Sequence, residues 1–485
     1  MNISIEKTKG RVYTPAHIVN NILDLSGYRG EAILGKHVID NSCGDGAFLA
    51  EIVRRYCEEA ALAHYSRKRL VQDLETYVHG IEIDPEELRK AGGRVSSAVS
   101  EFSLGSIKWD LNRDNTLTVH RYDGLMDFVL GNPPYVRVHN LAETYETMKR
   151  FRFSQGGMTD LFLAFYEIGL NMLKPGGVLG YITPSSFFHS KAGAALRRHL
   201  VKNSLIESAV DLKHYQPFEA ATYTTIMVLR KGGERRETAC YEYDQNRLQP
   251  RFVNRLAYED FCLDGSFYFG RKEPLAKLAK ILSIRSKFAE LDVKNGFATL
   301  LDSFFIGDFS FSEWTIPVVK ASTGQWARCL FPYDRAGRLI PYDAIAKTSA
   351  AGYYAEHENR LRARSITNPN EWYGFGRTQG IKDVYRKKYS VCSIIKSVKD
   401  LKITLCNKGS GVYGGLYILT DLPRKRISDV LLTGDFMDYI SLLGKYKSGG
   451  YYTFSSKDLK RYLFYKLAEE KLFANEQQRL SGSGF

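Results

Sequence analysis

The sequence predicts a doubly wound α/β sheet followed by a second domain of mixed α and β character. Between residue 35 and about residue 230, short β-rich apolar runs alternate with longer amphipathic segments, as expected of parallel strands joined by crossover helices. Acidic residues and glycine-containing turns follow the first runs, at the strand ends where such sheets hold their ligands. From about residue 240 this alternation ends, and the chain becomes rich in Tyr, Phe, Lys and Arg.

The predicted elements of the first domain follow one another in a regular order. Six apolar runs are predicted strands: 37–40, 77–83, 128–130, 178–182, 208–212 and 224–229. Three amphipathic segments are predicted helices: 47–63, 160–173 and 191–202. The polar, glycine-containing segment 231–236 directly follows a strand, which is typical of a domain exit. We therefore expect domains at 1–236 and 237–485, with residues 480–485 as a frayed tail.

Composition points to a polyanionic partner. The chain of 485 residues carries a formal net charge of +14 and has a pI near 9.2. A surplus of Lys and Arg of this size attracts nucleic acid. The hydrophobic fraction of 44% provides enough apolar material for a core in each domain, which argues against disorder.

The cysteines and the apolar segments indicate the cellular environment. The seven cysteines are odd in number and never follow CxxC spacing, so neither a disulfide framework nor a zinc cluster is expected. The first residues lack the apolar core of a signal peptide, and no later stretch reaches the length of a membrane span. We expect a cytoplasmic protein that has no membrane contact and requires no metal.

A strand, a glycine-containing turn and a helix start follow one another at residues 38–49. Asp40 ends the strand, and the turn contains Ser42 and Gly44. Glycine lets the backbone approach a bound ligand closely, so these three residues are candidate cofactor contacts. The turn lacks the full GxGxxG signature, which makes a nicotinamide cofactor the poorer interpretation.

Two further acidic residues fit a cofactor that contains a nucleoside. Glu82, with Ile83 beside it, ends the next predicted strand, where a carboxylate can accept hydrogen bonds from both hydroxyls of a ribose. Asp123 precedes the following strand and can accept a hydrogen bond from an adenine amino group.

The most informative stretch is Asn132-Pro133-Pro134-Tyr135, directly after a buried strand. Two prolines supply no backbone donors and hold the chain in a fixed extended turn, so the site is rich in acceptors. The Asn132 side-chain oxygen and the Pro133 carbonyl can each accept one N–H of an amino group on an aromatic ring. This frees the nitrogen lone pair for attack on a methyl group. Tyr135 offers a face on which a base can stack.

Together these motifs resemble the gamma-class adenine-N6 DNA methyltransferases of restriction-modification systems, the Taq-type and Eco57-type modification enzymes. The resemblance begins at Gly10-Arg-Val-Tyr-Thr-Pro15, includes the three acids and Asn-Pro-Pro-Tyr, and continues into Leu173-Lys-Pro-Gly-Gly-Val178. It covers the first half of the chain well and the aromatic second half more loosely. It implies a Rossmann-like methyltransferase sheet, S-adenosylmethionine as the cofactor and methyl transfer to the 6-amino group of adenine.

The resemblance also implies roles for the matching residues around the cofactor. Tyr13 and Thr14 are expected to contact its methionine part, and Asp40 is expected to face its amino group. Glu82 would accept the ribose hydroxyls and Asp123 the adenine amino group.

The same resemblance implies an aromatic pocket for the target base. Phe218 is expected to pack on the flipped base opposite Tyr135, with Tyr223 as the competing candidate. Asn132 is expected to border both the base and the cofactor.

The order of motifs places DNA target recognition in the C-terminal half, and double-stranded DNA is the expected partner. Arg377, Gln379 and Lys382 can give bidentate contacts to base edges. Lys387 is better suited to phosphates, and Lys320 lies on a further candidate loop.

Several alternatives remain open. Asn-Pro-Pro-Tyr also occurs in enzymes that methylate protein glutamine, the 4-amino group of cytosine or RNA adenine, since each presents a planar nitrogen. A non-catalytic DNA-binding specificity protein is a further alternative, disfavoured by the intact motifs. The sequence shows no convincing endonuclease signature, so a separate cognate restriction endonuclease is an expected partner. The family implies a monomer.

Overall fold

The protein is described here by a computed structural model that covers residues 13–136, 146–156, 160–218, 222–285, 288–289 and 291–482, with side chains through residue 470. The chain divides into two units, Met1–Ala279 and Lys280–Phe485. Each unit has its own sheets and its own apolar core.

The first unit is built on one large sheet. Its nine strands are β1 (Val38–Asp40), β2 (Val78–Glu82), β3 (Asp110–Arg113), β4 (Met126–Gly131), β5 (Leu173–Pro184), β6 (Ile206–Asp211), β7 (Thr224–Arg230), β8 (Glu237–Asp244) and β9 (Gln249–Ala257). They lie in the order β3-β2-β1-β4-β5-β7-β6-β8-β9, parallel from β3 to β5, with β7 antiparallel to both of its neighbours. The strand order reverses between β1 and β4, the kind of switch point at which such sheets bind ligands.

Helices flank this sheet. They are α1 (Ala16–Leu25), α2 (Ala47–Leu62), α3 (Arg67–Tyr77), α4 (Pro85–Ala98), α5 (Leu161–Met172), α6 (Ala194–Lys202) and α7 (Tyr258–Phe261), and α8 (Lys272–Ser283) contains the boundary between the units. Helix α4 begins sharply because the Asp84 side chain accepts from the backbone N–H groups of Glu86 and Glu87. A short pair, β10 (Cys262–Leu263) and β11 (Ser266–Phe267), completes the unit.

The predicted elements of the first domain are present, with two differences. The six predicted strands correspond to β1, β2, β4, β5, β6 and β7, and the three predicted helices to α2, α5 and α6. β7 is antiparallel to both β5 and β6, because the described part of its connection to β6 contains no helix that could return the chain to the other end of the sheet. β8 and β9 continue the same sheet, so the first unit extends to Ala279 and does not end at residue 236.

The second unit combines three small sheets with helices, which confirms its predicted mixed character. Its strands are β12 (Leu291–Asn295), β13 (Ile306–Gly307), β14 (Thr315–Lys320), β15 (Gln325–Leu330), β16 (Lys388–Val391), β17 (Ile394–Ile395), β18 (Ile403–Cys406), β19 (Gly411–Tyr413), β20 (Leu416–Thr420), β21 (Tyr446–Lys447) and β22 (Tyr451–Thr453). The sheet orders are β12-β20-β16-β18, β13-β15-β14-β19 and β17-β22-β21.

The helices of the second unit are α9 (Asp302–Phe305), α10 (Tyr342–Ile345), α11 (Ala351–Arg362), α12 (Arg424–Leu431), α13 (Gly434–Leu442) and α14 (Ser456–Gly482). Its core is strongly aromatic. Phe297 stacks on Phe375 with ring centroids 4.6 Å apart, and Phe331 and Tyr333 pack around Phe375. The first residues of the predicted tail are helical, because α14 continues to Gly482; residues 483–485 lie outside the described ranges.

Candidate active site

A cavity of about 500 Å³ lies at the carboxyl ends of the first four strands. It brings together most of the residues predicted to bind the cofactor. The predicted residues in its lining are Tyr13, Thr14, Asp40, Ser42, Gly44, Glu82, Ile83, Asn132, Pro133 and Pro134. Residues far apart in the chain meet here because parallel strands end at one edge of the sheet.

The turn after β1 is shaped by two glycines with left-handed backbone. Gly44 and Gly46 have φ values of 51° and 84°. A Cβ at Gly46 would lie 2.8 Å from the Ala91 Cα atom, so the turn packs tightly on α4. The Gly44 N–H then donates to Glu82 Oε2 at 3.0 Å, and the Asp84 N–H donates to Glu82 Oε1 at 2.9 Å. The Glu82 carboxylate is therefore fixed in place, and each oxygen retains acceptor capacity for a ribose hydroxyl.

Asp40 is the most deeply buried acid of the site, with a relative exposure of 1%. Burial raises the pKa of the Asp40 carboxyl to about 8, and the negative charges of Glu82 and Asp45 add to this rise. The Ser42 N–H, which donates to Asp40 Oδ1 at 3.1 Å, opposes it. A cationic group next to Asp40 would favour the ionised carboxylate, which suits the predicted contact with an amino group.

Asn132 follows β4 and is held by the N-terminal segment of the chain. Its Nδ2 donates to Thr14 Oγ1 at 3.1 Å. Its Oδ1 is buried and has no hydrogen-bond partner among the described residues. Leaving a buried amide oxygen without a hydrogen-bond donor costs free energy. This atom is therefore available to accept a hydrogen bond from a ligand. The Ser42 hydroxyl donates to the Asn132 carbonyl at 3.5 Å and links the two sides of the cavity.

The aromatic pair predicted for the target base is present, in a closed arrangement. The Tyr135 and Phe218 rings are 6.1 Å apart and meet edge to face at 71°. The Tyr135 hydroxyl donates to the Ile182 carbonyl at 3.0 Å. Neither ring lines the cofactor cavity. A base stacked between them would have to separate the rings. The competing candidate Tyr223 packs edge to face on His214, with ring centroids 6.0 Å apart.

Tyr13 borders the cavity at its outer side. Its ring is 50% exposed, and its hydroxyl donates to Glu87 Oε1 at 3.3 Å. Lys90 Nζ lies 6.0 Å from the ring centroid. Residues 10–12 of the predicted motif lie outside the described ranges.

Asp123 does not line the cavity, contrary to the expectation from the sequence. It lies in a turn, where His120 Nδ1 is 3.1 Å from its Oδ2. The acid at the corresponding strand end is Asp114, directly after β3, and it lines the cavity together with Asn115. The Arg121 guanidinium donates to Asp114 at 2.8 Å and lowers the pKa of that carboxyl. Asp114 was not predicted because β3, with one apolar side chain among its four residues, gives no strand signal in the sequence.

The residues predicted to bind DNA lie on the second unit and are all exposed. Four of them lie in the connection between α11 and β16: Arg377, Gln379, Lys382 and Lys387. Lys320 is the last residue of β14. Residues 280–485 contain 32 Lys and Arg against 20 Asp and Glu, a balance of +12 out of +14 for the chain. The second unit therefore carries nearly all of the net positive charge.

Two kinds of feature are absent from the described ranges. No helix there is long and apolar enough to cross a bilayer. No group of three or more His, Cys, Asp or Glu side chains lies in a position to hold a metal ion.

The switch-point cavity, the ordered acids at its strand ends and the Asn-Pro-Pro-Tyr turn are the features expected of a methyltransferase of the α/β class. Residues 74–218 match the Eco57I restriction-modification methylase family. The chain is thus similar to restriction-modification methylases, and this match confirms the resemblance predicted from its motifs.

Individual relatives agree with this assignment. The chain is 25% identical over 429 residues to the Type II methyltransferase M.BstVI of Geobacillus stearothermophilus, covering 75% of this chain and 73% of the relative. It is 25% identical over 409 residues to the Type II methyltransferase M.XhoI of Xanthomonas vasicola, covering 75% and 74%.

A solved structure shares the fold over most of the chain. The Type IIL restriction-modification enzyme MmeI, solved in complex with DNA, matches with a TM-score of 0.61 and 14% identity. The match covers 90% of this chain but only 63% of the MmeI chain.

Proposed function

We propose that this protein transfers a methyl group from S-adenosylmethionine to the 6-amino group of an adenine in a short duplex recognition sequence. The observation that carries the proposal is the buried, unpartnered Oδ1 of Asn132 at the edge of the cofactor cavity. An acceptor in this position suits an amino group on an aromatic ring, whose lone pair is delocalised until its N–H groups are engaged.

The cavity fits S-adenosylmethionine in size and in its polar groups. Glu82 would accept the ribose hydroxyls, Asp114 and Asn115 would border the adenine, and Asp40 would face the amino group. Tyr13 and Thr14 would contact the methionine part. When bound, the cofactor supplies an electrophilic methyl group on sulfur. The proposed reaction requires no metal.

The side chains around Asn132 would activate the amino group by orientation. Asn132 Oδ1 and the Pro133 carbonyl would each accept one N–H, which favours a pyramidal nitrogen with an available lone pair. Thr14 holds the amide so that its oxygen stays available. Tyr135 would stack on the base. The target adenine must leave the duplex stack to reach these groups, and the Tyr135 and Phe218 rings must separate to admit it.

The second unit would bind the duplex. Its balance of +12 suits a phosphate backbone, and the exposed residues Lys320, Arg377, Gln379, Lys382 and Lys387 are candidates for DNA contacts. We further propose that the protein acts as a monomer in the cytoplasm. It would protect DNA from a separate cognate restriction endonuclease.

The test is methyl transfer from labelled S-adenosylmethionine to unmethylated genomic DNA, followed by nucleoside digestion and sequencing of modified sites. We expect labelled 6-methyladenine within one short sequence, and we expect the Asn132→Ala variant to give none. Label in 4-methylcytosine would keep the methyltransferase and overturn the substrate, as would label that enters RNA or protein glutamine when these are offered in place of DNA. Binding to a specific sequence without any methyl transfer would instead support the non-catalytic alternative.

A further inference from the structure

An exposed leucine with left-handed backbone lies on the second unit. Leu300 has a φ of 60° and is 44% exposed. The left-handed backbone region is unfavourable for a branched aliphatic residue, whereas glycine and asparagine adopt it readily. Strain of this kind persists only where the surroundings impose it, and it often marks a functional residue.

The surroundings of Leu300 hold it firmly. An isolated antiparallel bridge joins Ala298 to Arg377: the Arg377 N–H donates to the Ala298 carbonyl at 2.9 Å, and the Gly376 N–H donates to the Thr299 carbonyl at 3.3 Å. The Leu300 side chain lies directly over Gly376, where a Cβ would be 2.3 Å from its Cδ1 atom. Glycine at position 376 is therefore what allows the leucine to lie there.

A buried arginine joins the two segments from below. Arg364 is 9% exposed and donates to the carbonyls of Thr299 at 2.6 Å and of Gly374 at 2.9 Å, and also to that of Trp372. The Thr299 carbonyl thus accepts from both Arg364 and the Gly376 N–H, and the carbonyls of Trp372 and Gly374 gain a donor in a buried setting. Arg364 thus fixes the backbone next to Leu300 and near Gly376, and Leu300 itself is exposed and is not among the side chains packed on the core cluster that contains Phe297 and Phe375.

Strand register places Leu300 at the same edge as Lys320. Lys320 pairs in parallel with Tyr413 of β19, and Tyr413 forms a parallel bridge with Phe297. Because both pairings are parallel, the chain from Phe297 to Leu300 runs in the same direction as β14, toward the turn at 321–324. We call the exposed ends of segments 298–300, 320–325 and 376–379 the recognition edge.

The composition of the recognition edge suits DNA. Its three segments contain Lys320 and Arg377 and no Asp or Glu. Ser322, Thr323, Gln325 and Gln379 add exposed polar groups that can reach base edges or phosphates. The one large apolar side chain exposed among these segments is Leu300.

We propose that Leu300 inserts at a base step of the bound duplex, beside the contacts made by Arg377. This inference rests on the proposed function and adds a residue that deforms the duplex. Apolar side chains placed among polar and basic ones partly unstack a step, which lets the protein engage bases that stacking would otherwise shield. A rigid backbone is needed for this, because an insertion residue on a mobile loop would fold away from the stack.

The test uses the full chain and a fluorescent duplex that carries the sequence the wild-type protein methylates. Leu300→Gly and Leu300→Asn suit the left-handed backbone and remove the apolar side chain. We expect the Kd for this duplex to rise about tenfold, with an unchanged salt dependence because no phosphate contact is lost. The melting temperature of either variant should not fall. On a duplex with a mismatch at the contacted step, the Leu300 variants should lose less affinity relative to the wild type, because that step is already partly unstacked without the leucine.

The matched control is Leu432→Asn, another exposed leucine of the second unit, at 48% exposure, which should bind as the wild type does. Unchanged affinity of both Leu300 variants would overturn the proposal. So would weaker binding with a smaller salt slope, which would indicate a loosened Arg377. If the wild-type protein methylates the duplex and either of these two results is obtained, the role of Leu300 is wrong and the proposed function stands. Absence of any methylated sequence would overturn the proposed function and this inference with it.

Discussion

The Asn132 side chain donates from Nδ2 to Thr14 Oγ1 across 3.1 Å, and this contact leaves the Oδ1 end of the amide for a ligand. The Oδ1 atom has no partner among the described residues. Thr14 belongs to the same short segment as Tyr13, and both line the cofactor cavity. The orientation of the proposed base acceptor and the wall of the cofactor site therefore depend on one piece of chain.

Replacement of Asn132 by Ala removes the amide oxygen that would accept an N–H of the target amine. We expect the rate of methyl transfer to fall by at least about 10²–10³-fold, the effect typical of removing one preorganised hydrogen-bonding group. Cofactor affinity, measured by calorimetry, should change little. The control Asn203→Ala alters an exposed asparagine at the end of α6 and should leave the rate unchanged. Normal turnover of Asn132→Ala would contradict the proposed chemistry.

Thr14 offers a separate test of amide orientation. Thr14→Val keeps the shape of the side chain and removes the hydroxyl oxygen that accepts from Asn132. We expect kcat to fall about tenfold, as for loss of one hydrogen bond to a polar group, because the amide can then rotate. Thr14→Ser should retain most activity. Equal rates for the valine and serine variants would mean that this hydrogen bond has no role in the reaction.

Asp114 and Asp123 give opposite predictions for cofactor binding. Asp114→Asn changes an acid that lines the cavity, and we expect S-adenosylmethionine to bind about tenfold more weakly, as for loss of a charged hydrogen-bond acceptor. Asp123→Asn makes the same change outside the cavity and should leave the Kd unaltered. The reverse result would restore the assignment made from the sequence.

The raised pKa of Asp40 predicts a pH dependence of stability. The folded carboxyl has a pKa of about 8, against 3.8 for the ordinary value. The folded state therefore holds a proton that the unfolded state releases, and stability is lost as the pH rises from about 4 to about 8. The Asp40→Asn variant should not show this loss. The difference between its free energy of unfolding and that of the wild type should therefore grow from about pH 4 to about pH 8 and level off above pH 8.

Urea unfolding at several pH values measures this difference. Glu101→Gln makes the corresponding change at an exposed position and should show no such trend. A constant difference between Asp40→Asn and wild type would show that Asp40 is ionised throughout.

Lys320 is expected to contact a phosphate at the recognition edge. Lys320→Ala should weaken binding to all duplexes alike and reduce the slope of log K against log salt by about 1. Lys425→Ala, which removes an exposed lysine from α12, is the matched control. An unchanged slope for Lys320→Ala would place the phosphate contacts elsewhere on the second unit.

The sequence predicted most of the first unit because its central strands are apolar and its motifs lie at their ends. It did not predict β3, whose four residues Asp-Leu-Asn-Arg contain one apolar side chain and give no β signal. The acid after that strand was therefore assigned to Asp123 in place of Asp114. β8 and β9 were missed because their polar side chains are typical of strands near a sheet edge.

Other features of the site depend on contacts that no local pattern encodes. The edge-to-face contact of Tyr135 with Phe218 joins two residues 83 positions apart. The position of Leu300 depends on glycine at position 376. Composition and spacing gave no reason to single out this leucine among the others.

The uneven division of charge has a consequence for how new specificities could arise. Residues 1–279 are nearly neutral, whereas residues 280–485 carry +12. If the proposed function holds, attraction to DNA would belong to the C-terminal part and the chemical step to the N-terminal part. A gene fusion that joined this N-terminal part to another positively charged recognition domain would keep the reaction. It would take its DNA affinity, salt dependence and target sequence from the new domain.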